Sequence, residues 1–353
     1  METNSLTRRQ LGLRAALALA ACAGGSQWLV PAQAQWGERS RVPLRVAVGG
    51  KGDLHHLPLT VAERLGYFRD EGLSLDIENY TGAPLAMAAV HSGRADIGCS
   101  DYDRLIESQA LGFPCRCLVL MGRTPQLVLA ASPRYWPKKP LNHQRELRIG
   151  VAAPGSSAQF FASLWLLQAG ISARQVQFIG VDSGASAIAA FRQGHVQALS
   201  HVDPLITLLE QRSEVQILAD TRSLKGSADF YGGPMPGACM YASQTFVQQR
   251  AREVQAFVNA VVRALKWMQT ASPADLARVV PTEYWLDDRA AYLAAFEKGR
   301  ATLSPDGLMP DDGPATALRA VARLREGQTA PKVNLGLTYS NEWVTQAKLK
   351  FQL

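Results

Sequence analysis

The sequence predicts an α/β protein made of two similar lobes, and three features carry this prediction. Short β-rich runs alternate with helix-length amphipathic runs across residues 44–219, as in a mostly parallel sheet that is covered by helices. The two halves of this stretch repeat one pattern of glycines, and the proline- and lysine-rich segment Pro133–Pro140 separates them. A chain of 353 residues with 47% hydrophobic and 19% charged residues is long enough for two such units and is not typical of a disordered protein.

The first 35 residues have the pattern of an export signal. Arg8 and Arg9 precede a short apolar run, Ala15–Ala23, which cannot cross a bilayer because a span needs about 20 residues. The small side chains of Ala32-Gln33-Ala34 suit a cleavage site, so we expect residues 1–34 to be removed. The paired arginines favour twin-arginine export over an ordinary basic leader.

A lipoprotein is the alternative that this leader leaves open. Leu19-Ala20-Ala21-Cys22 fits a lipobox, in which the cysteine is acylated and becomes the first mature residue. Both alternatives place the protein outside the cytoplasmic membrane, either free in the periplasm or tethered through Cys22.

The elements of the first lobe follow in the order strand, helix, strand. Each β-rich run is succeeded by apolar residues at helical spacing, so the period of the pattern switches repeatedly between the two kinds of element. We expect strands at Leu44–Val48, Leu73–Tyr80, Asp96–Ser100 and Leu118–Met121, and helices at Leu57–Phe68, Leu85–His91 and Arg104–Leu111. The second lobe repeats the alternation, with strands at Leu147–Ala152, Val176–Val181, Ala198–Ser200 and Val215–Ala219, and helices at Ala158–Gln168, Ala185–Arg192 and Leu205–Glu210.

The repeat between the lobes includes the residues that follow the strands. Gly82-Ala83 in the first lobe corresponds to Gly184-Ala185 in the second, and the strand end at Asp101 corresponds to Asp203, with spacings that agree within one residue. Open α/β sheets bind ligands in the loops at the carboxyl ends of their strands. A ligand held between the two lobes therefore follows from the repeat.

The rest of the chain is expected to return to the first lobe. A Gly/Pro-rich crossing, Tyr231–Gly237, precedes a strand at Ala238–Ala242, and Val128–Pro133 is the outward crossing. We expect the first lobe to comprise residues 44–130 and 238–345, and the second residues 131–237, with the two crossings acting as a hinge. Helices are expected around Val254–Gln269, Pro273–Val280, Arg289–Lys298 and Thr316–Arg325.

An ordered set of motifs resembles a known family. The set consists of Gly49-Gly50-Lys51-Gly52, Leu57–Glu63, Gly66-Tyr67-Phe68 with Glu71-Gly72-Leu73, Ser92-Gly93 with Ala95-Asp96, Gly122-Arg123 with Pro125-Gln126, and Pro154–Ser157. Together these motifs resemble the nitrate, sulfonate and taurine class of periplasmic substrate-binding proteins. The resemblance implies a type II periplasmic-binding fold, with mixed sheets flanked by helices. It also implies a protein that delivers a small solute to the membrane permease of an ABC importer, and we expect this protein to be a monomer.

The resemblance also has limits. The class shares its fold with a pyrimidine-precursor synthase domain of thiamine biosynthesis, whose cysteine-rich catalytic signature is missing from this sequence. Where many relatives have aromatic residues, this chain has Asp53-Leu54-His55-His56, and it has Asp101 where a small residue is common. The ligand is therefore expected to differ from that of close-looking relatives.

The strongest candidate for a ligand-binding residue pair is Ser156 with Ser157. The segment Pro154–Ser157 follows a strand and opens a helix, so hydroxyls, free backbone N–H groups and the helix dipole converge on an anion site. An ordinary serine N-cap is the alternative. After the first strand, Lys51, His55 and His56 are candidates, with solvent-facing loop residues as the alternative.

Further candidate residues lie at the matching strand ends and at the crossings. Each has a structural alternative: a tight turn for Gly82-Ala83 and Gly184, a helix cap for Asp101-Tyr102 and Asp203, a structural role at the lobe interface for Arg123, and packing between the lobes for Tyr231. These candidates are Gly82, Ala83, Gly184, Asp101, Tyr102, Asp203, Arg123 and Tyr231.

Charge and cysteine content exclude several functions. The net charge of +7 is scattered along the chain, unlike the basic stripe of a nucleic-acid-binding protein, and a small anionic ligand suits it better. Downstream of the leader, Cys99, Cys115, Cys117 and Cys239 have no disulfide framework spacing and are expected to be buried free thiols. The histidines lack metal-site spacing and no dinucleotide-binding glycine motif occurs, so neither a metal nor a cofactor is expected.

The sequence therefore predicts a non-enzymatic solute-binding protein for a small anion of the sulfonate, nitrate, taurine or aromatic carboxylate class. An extracytoplasmic enzyme or a pyrimidine-precursor binder on the same fold is the alternative.

Overall fold

A computed structural model describes residues 41–136, 147–325 and 332–352. The expected export signal, its cleavage site and the lipobox cysteine Cys22 lie outside the described residues. Among the described helices, none combines the length and the apolar character that a membrane span needs.

The first of two five-stranded sheets has the order β2-β1-β3-β10-β4. Strand β1 pairs in parallel with β2 and β3, whereas β10 runs antiparallel to both β3 and β4. The strands are β1 Val42–Gly49, β2 Leu73–Tyr80, β3 Ile97–Asp101, β4 Cys115–Leu120 and β10 Ala238–Ser243. This sheet and its helices form the first lobe.

The second sheet has the order β7-β6-β8-β5-β9. Strand β6 pairs in parallel with β7 and β8, and β5 runs antiparallel to β8 and β9. The strands are β5 Val128–Ala131, β6 Leu147–Val151, β7 Val176–Gly180, β8 Ala198–His201 and β9 Gln216–Asp220. Both sheets thus have one topology, which confirms the α/β architecture and the two-lobe repeat.

Fourteen α-helices among the described residues cover the two sheets. They are α1 Leu57–Arg64, α2 Tyr67–Asp70, α3 Ala83–His91, α4 Tyr102–Ala110, α5 Ser157–Gln168, α6 Ala185–Arg192, α7 Leu205–Gln211, α8 Leu224–Tyr231, α9 Gln244–Gln249, α10 Ala251–Thr270, α11 Pro273–Val279, α12 Arg289–Gly299, α13 Gly313–Arg323 and α14 Glu342–Phe351.

The core of the first lobe lies between its sheet and the long helix α10. Val46 and Val48 of β1 belong to one buried apolar cluster with Phe257 and Val261 of α10. Alternate positions of β1 face the other way, where Ala47 joins a second buried cluster. Helices on both faces therefore fix the sheet and leave its strand ends free to form a site.

The chain crosses between the lobes at places that differ partly from expectation. Val128–Ala131, expected within the outward crossing Val128–Pro133, is strand β5 of the second sheet, so the chain reaches that sheet earlier. The return from α8 to β10 passes through residues 232–237, within the expected segment. The expected helix Leu57–Phe68 is divided at Gly66, whose φ of 77° is a left-handed conformation that ends α1 and begins α2.

Candidate functional site

A cavity of about 40 Å³ lies between the strand ends of the two sheets. The first lobe contributes Gly49, Asp53, His55, His56, Ala83, Ser100 and Asp101 to its wall, and the second contributes Ala152, Ser156, Ser157, Ala158, His201 and Val202, with Leu127 from the segment before β5.

The lobes touch one another around this cavity. The backbone N–H of Leu54 donates to the carbonyl oxygen of Asp203 at 3.0 Å. Gly82 has a φ of 81°, and a Cβ there would lie 2.5 Å from the Cβ of Ala153 on the facing lobe. Glycine at this position is therefore needed both for the turn and for the close approach of the lobes.

The two adjacent histidines of the wall form part of a short 3-10 turn, Leu54–His56, after β1. Their rings lie 3.8 Å apart between centroids, and His55 is 6% and His56 3% exposed. Burial lowers the pKa of both imidazoles, that of His56 to about 4. Both rings are therefore neutral at pH 7, and Nδ1 of His55 and Nε2 of His56 are buried without a hydrogen-bond partner.

Two carboxyl groups face the cavity from the same lobe. Burial raises the pKa of Asp53 well above its usual range, and the negative charges of Asp182 and Asp101 raise it further. Burial, reinforced by the charge of Asp103, raises the pKa of Asp101 to about 8. The Asp101 carboxyl is therefore largely protonated at pH 7, and its Oδ1 lacks a partner.

The second lobe presents the start of α5. Ser156 is the N-cap residue, but its side chain makes no capping hydrogen bond and its buried Oγ is without a partner. The hydroxyl of Ser157 instead donates to Oδ1 of Asp103 in the first lobe at 2.7 Å. Both serines line the cavity, and the Ser156 hydroxyl is the one available to a ligand.

Some residues of the wall were not candidates in the sequence analysis. Asp53 belongs to the segment Asp53–His56, where the chain departs from its relatives, and Ser100 ends the strand expected at Asp96–Ser100. The Oγ of Ser100 is buried without a partner. His201 is the last residue of β8, two residues before the candidate Asp203, so its position was a usable signal. Both of its ring nitrogens are engaged, because Nε2 lies 2.9 Å from the carbonyl oxygen of Asp182 and Nδ1 accepts from the N–H of Val202.

Several candidate residues from the sequence lie outside the cavity wall. Lys51 forms an ion pair with Glu63 at 2.9 Å, and Arg123 is exposed. Gly82 and Gly184 cap helices α3 and α6 with left-handed φ angles and do not line the cavity. Ala83, the residue after Gly82, does line it.

Three further candidates have structural partners instead. Asp203 accepts from the N–H of Thr207 at 2.8 Å and pairs with the guanidinium of Arg222 at 3.3 Å. Tyr102 shares a hydrogen bond with the hydroxyl of Thr338. Tyr231 packs against Phe161 and Phe230, and its hydroxyl is buried without a partner. These residues thus correspond to the structural alternatives of helix cap and packing.

The four cysteines Cys99, Cys115, Cys117 and Cys239 are buried and free. Burial raises the pKa of Cys99, Cys115 and Cys239, so these thiols stay protonated at pH 7.

Comparisons with known proteins agree with this architecture. The family described as NMT1/THI5 like matches residues 53–275. A solved protein from Bordetella bronchiseptica RB50 is 39% identical, with a TM-score of 0.85 over 89% of this chain and 99% of that one. The periplasmic nitrate-binding protein NrtA from Synechocystis PCC 6803 has a TM-score of 0.69 at 11% identity, over 88% of this chain and 89% of its own.

A third comparison gives the same fold. The periplasmic aliphatic sulphonate-binding protein SsuA from Escherichia coli has a TM-score of 0.62 at 18% identity, over 87% of this chain and 100% of its own. At such identities the likeness to these two transport proteins concerns the fold. The chain belongs to the NMT1/THI5-like family and has the type II periplasmic-binding fold of ABC importer solute-binding proteins.

Proposed function

We propose that this protein is the periplasmic solute-binding component of an ABC importer and that it carries a small anionic solute to a membrane permease without chemical change. One observation carries the proposal: both lobes point buried polar atoms without partners into one cavity. These atoms are Oγ of Ser100 and Oδ1 of Asp101 from the first lobe, and Oγ of Ser156 from the second. Buried polar groups without partners are costly, and a bound solute would satisfy them.

The anionic end of the solute would rest on the start of α5. Ser156 offers a free hydroxyl there, and the first turn of the helix adds backbone N–H groups and the positive end of the dipole. Asp101 is protonated below its pKa of about 8 and can donate its O–H to an acceptor. Among the described residues that line the cavity there is no lysine or arginine, so these donors would be neutral groups.

A ligand screen followed by one substitution tests this proposal. Thermal-shift measurements with alkanesulfonates, taurine, nitrate and aromatic carboxylates, in buffer with EDTA and again with ZnCl2, should identify an anion that raises the melting temperature. Replacing Ser156 by Ala should then weaken binding of that anion by about 1.5 to 3 kcal/mol in titration calorimetry, the range for a hydrogen bond to a charged group.

Ser163→Ala is the matched control, because Ser163 lies on the same helix but not on the cavity wall. The proposal fails if neutral pyrimidines bind and no anion does, if Ser156→Ala binds as the wild type, or if the protein converts the solute into a product.

A further inference from the structure

The short turn after β1 brings three potential metal ligands together on the cavity wall. Asp53, His55 and His56 each offer a ligand atom, and these atoms all lie within 4.8 Å of one another. All three side chains are more than nine-tenths buried. Tetrahedral ligand atoms at about 2.0–2.2 Å from one ion lie about 3.3–3.6 Å apart, so binding requires the side chains to move together by up to about 1.4 Å.

His56 already has the orientation of a metal ligand. Its Nδ1 lies 3.1 Å from the carbonyl oxygen of Gly50. Because a carbonyl can only accept, Nδ1 carries the proton and Nε2 keeps its lone pair. That Nε2 is buried without a partner, and a backbone carbonyl that fixes the ring in this way is typical of metal-bound histidine.

His55 and Asp53 complete the set. Nδ1 of His55 is also buried without a partner. The Asp53 carboxyl fills the space beside Gly50, where a Cβ would lie 2.3 Å from its Oδ2. The nearest basic residue in sequence, Lys51, is already paired with Glu63. A buried carboxyl thus lies close to two imidazoles that each have an unpartnered nitrogen, and among the described residues that line the cavity there is no lysine or arginine.

We propose that Asp53, His55 and His56 bind one divalent transition-metal ion with its open coordination positions facing the cavity. Two imidazoles and one carboxylate suit Zn²⁺ and its neighbours in the first transition row, whereas Ca²⁺ and Mg²⁺ prefer sets made of oxygen alone. His201 is not a ligand, because both of its nitrogens are engaged by backbone groups. Three protein ligands leave a position for water or for a solute atom.

This inference reverses the expectation from sequence, which found no metal-site spacing among the histidines. The ligands lie within four consecutive residues and become a cluster only because Leu54–His56 forms a 3-10 turn. If the solute is anionic, which rests on the function proposed above, the ion would supply the positive charge that the wall of the cavity lacks. Binding of the ion itself does not depend on the solute.

Metal titration of the tag-free, EDTA-treated and dialysed full-length protein tests the inference. Calorimetry with ZnCl2 should give one site per chain, and CoCl2 should give visible absorption bands of a protein-bound ion. Asp53→Asn, His55→Asn and His56→Asn should each lower the affinity by at least about 100-fold, since even loss of an outer-shell partner typically costs 10- to 100-fold.

His195→Asn is the matched control, because His195 is exposed and lies outside the cavity, and it should bind as the wild type. Circular dichroism in EDTA checks the fold of each variant. If a histidine variant does not fold, the test rests on the Zn²⁺ affinity of Asp53→Asn, the change closest in shape to the native side chain. The inference is overturned if the wild type shows no site of unit stoichiometry, or if folded cavity variants bind Zn²⁺ like the wild type. The solute screen in EDTA is independent of both results.

Discussion

At the scale of single residues, Asp101 illustrates how the site departs from an ordinary protein surface. Asp101 is the last residue of β3, and the residue is 8% exposed. Burial raises the pKa of its carboxyl to about 8. In the unfolded chain the same carboxyl titrates near pH 4. The folded state therefore keeps a proton that the unfolded state loses, and a raised pKa of this kind destabilises the fold as the pH rises from about 4 to about 8.

Replacing Asp101 by Asn should remove this dependence on pH. Below about pH 4 the Asp101 carboxyl is protonated in both the folded and the unfolded wild type, so it does not destabilise the fold. Toward pH 8 the destabilisation by Asp101 grows by at most about 1.4 kcal/mol per pH unit. Urea denaturation from pH 4 to pH 8 should show a free energy of unfolding that declines less steeply in the variant. Parallel curves for the two proteins would contradict the buried, protonated carboxyl.

Sequence located residues of the cavity wall where their placement follows from local geometry, and contact with a ligand stays a prediction. Ser156 and Ser157 line the cavity because a strand end followed by a helix start specifies that placement. Lys51 does not, because its partner Glu63 lies on α1, and sequence alone did not show that the helix would bring the carboxylate within 2.9 Å. His55 and His56 were candidates, but sequence did not show that they lie beside Asp53, because this clustering depends on the 3-10 turn Leu54–His56.

At the scale of elements, the starts of α4 and α5 connect the two lobes. The Ser157 hydroxyl of α5 donates to Asp103 of α4 at 2.7 Å. Arg104 of α4 pairs with Asp103 and donates to the carbonyl oxygen of Gly155 at 3.0 Å. These contacts cross between the lobes, and we expect opening of the cleft to break them.

Replacing Ser157 by Ala should therefore weaken solute binding by favouring the open state. The lost hydrogen bond reaches a charged carboxylate, so we expect about 1.5 to 3 kcal/mol, mostly as faster dissociation. Stopped-flow fluorescence with the cognate solute measures this, with Ser163→Ala as the control. An unchanged dissociation rate would show that the Ser157–Asp103 contact does not stabilise the closed state.

The glycine repeat predicted two similar lobes, but it did not locate β5. Val128–Ala131 is four residues long, and its partners β8 and β9 lie some 70 to 90 residues further along the chain. A run this short has no periodicity that separates a buried strand from a linker. The position of β5 in the second sheet is set by its pairing with β8 and β9.

At the scale of the whole molecule, the proposed function requires two lobes that close over one solute. The same strand order in both sheets places equivalent loops on the two sides of the cavity. A solute favours closure only if it contacts both lobes, because a solute held by one lobe has no differential affinity for the closed state. The unpartnered atoms of Ser100 and Asp101 on one side and of Ser156 on the other offer contacts from both lobes.

The most direct test of this central claim is the distance between the lobes in solution. Ser74 on β2 and Gln177 on β7 are exposed and lie on the edge strands of the two sheets. The double variant Ser74→Cys with Gln177→Cys can therefore be labelled with a donor and an acceptor dye. The four described native cysteines are buried and should not react with the dyes. Addition of the anion found by thermal shift should shorten the distance and saturate at the concentration that saturates binding. A distance that stays constant at saturating solute would contradict closure of the two lobes over a shared site.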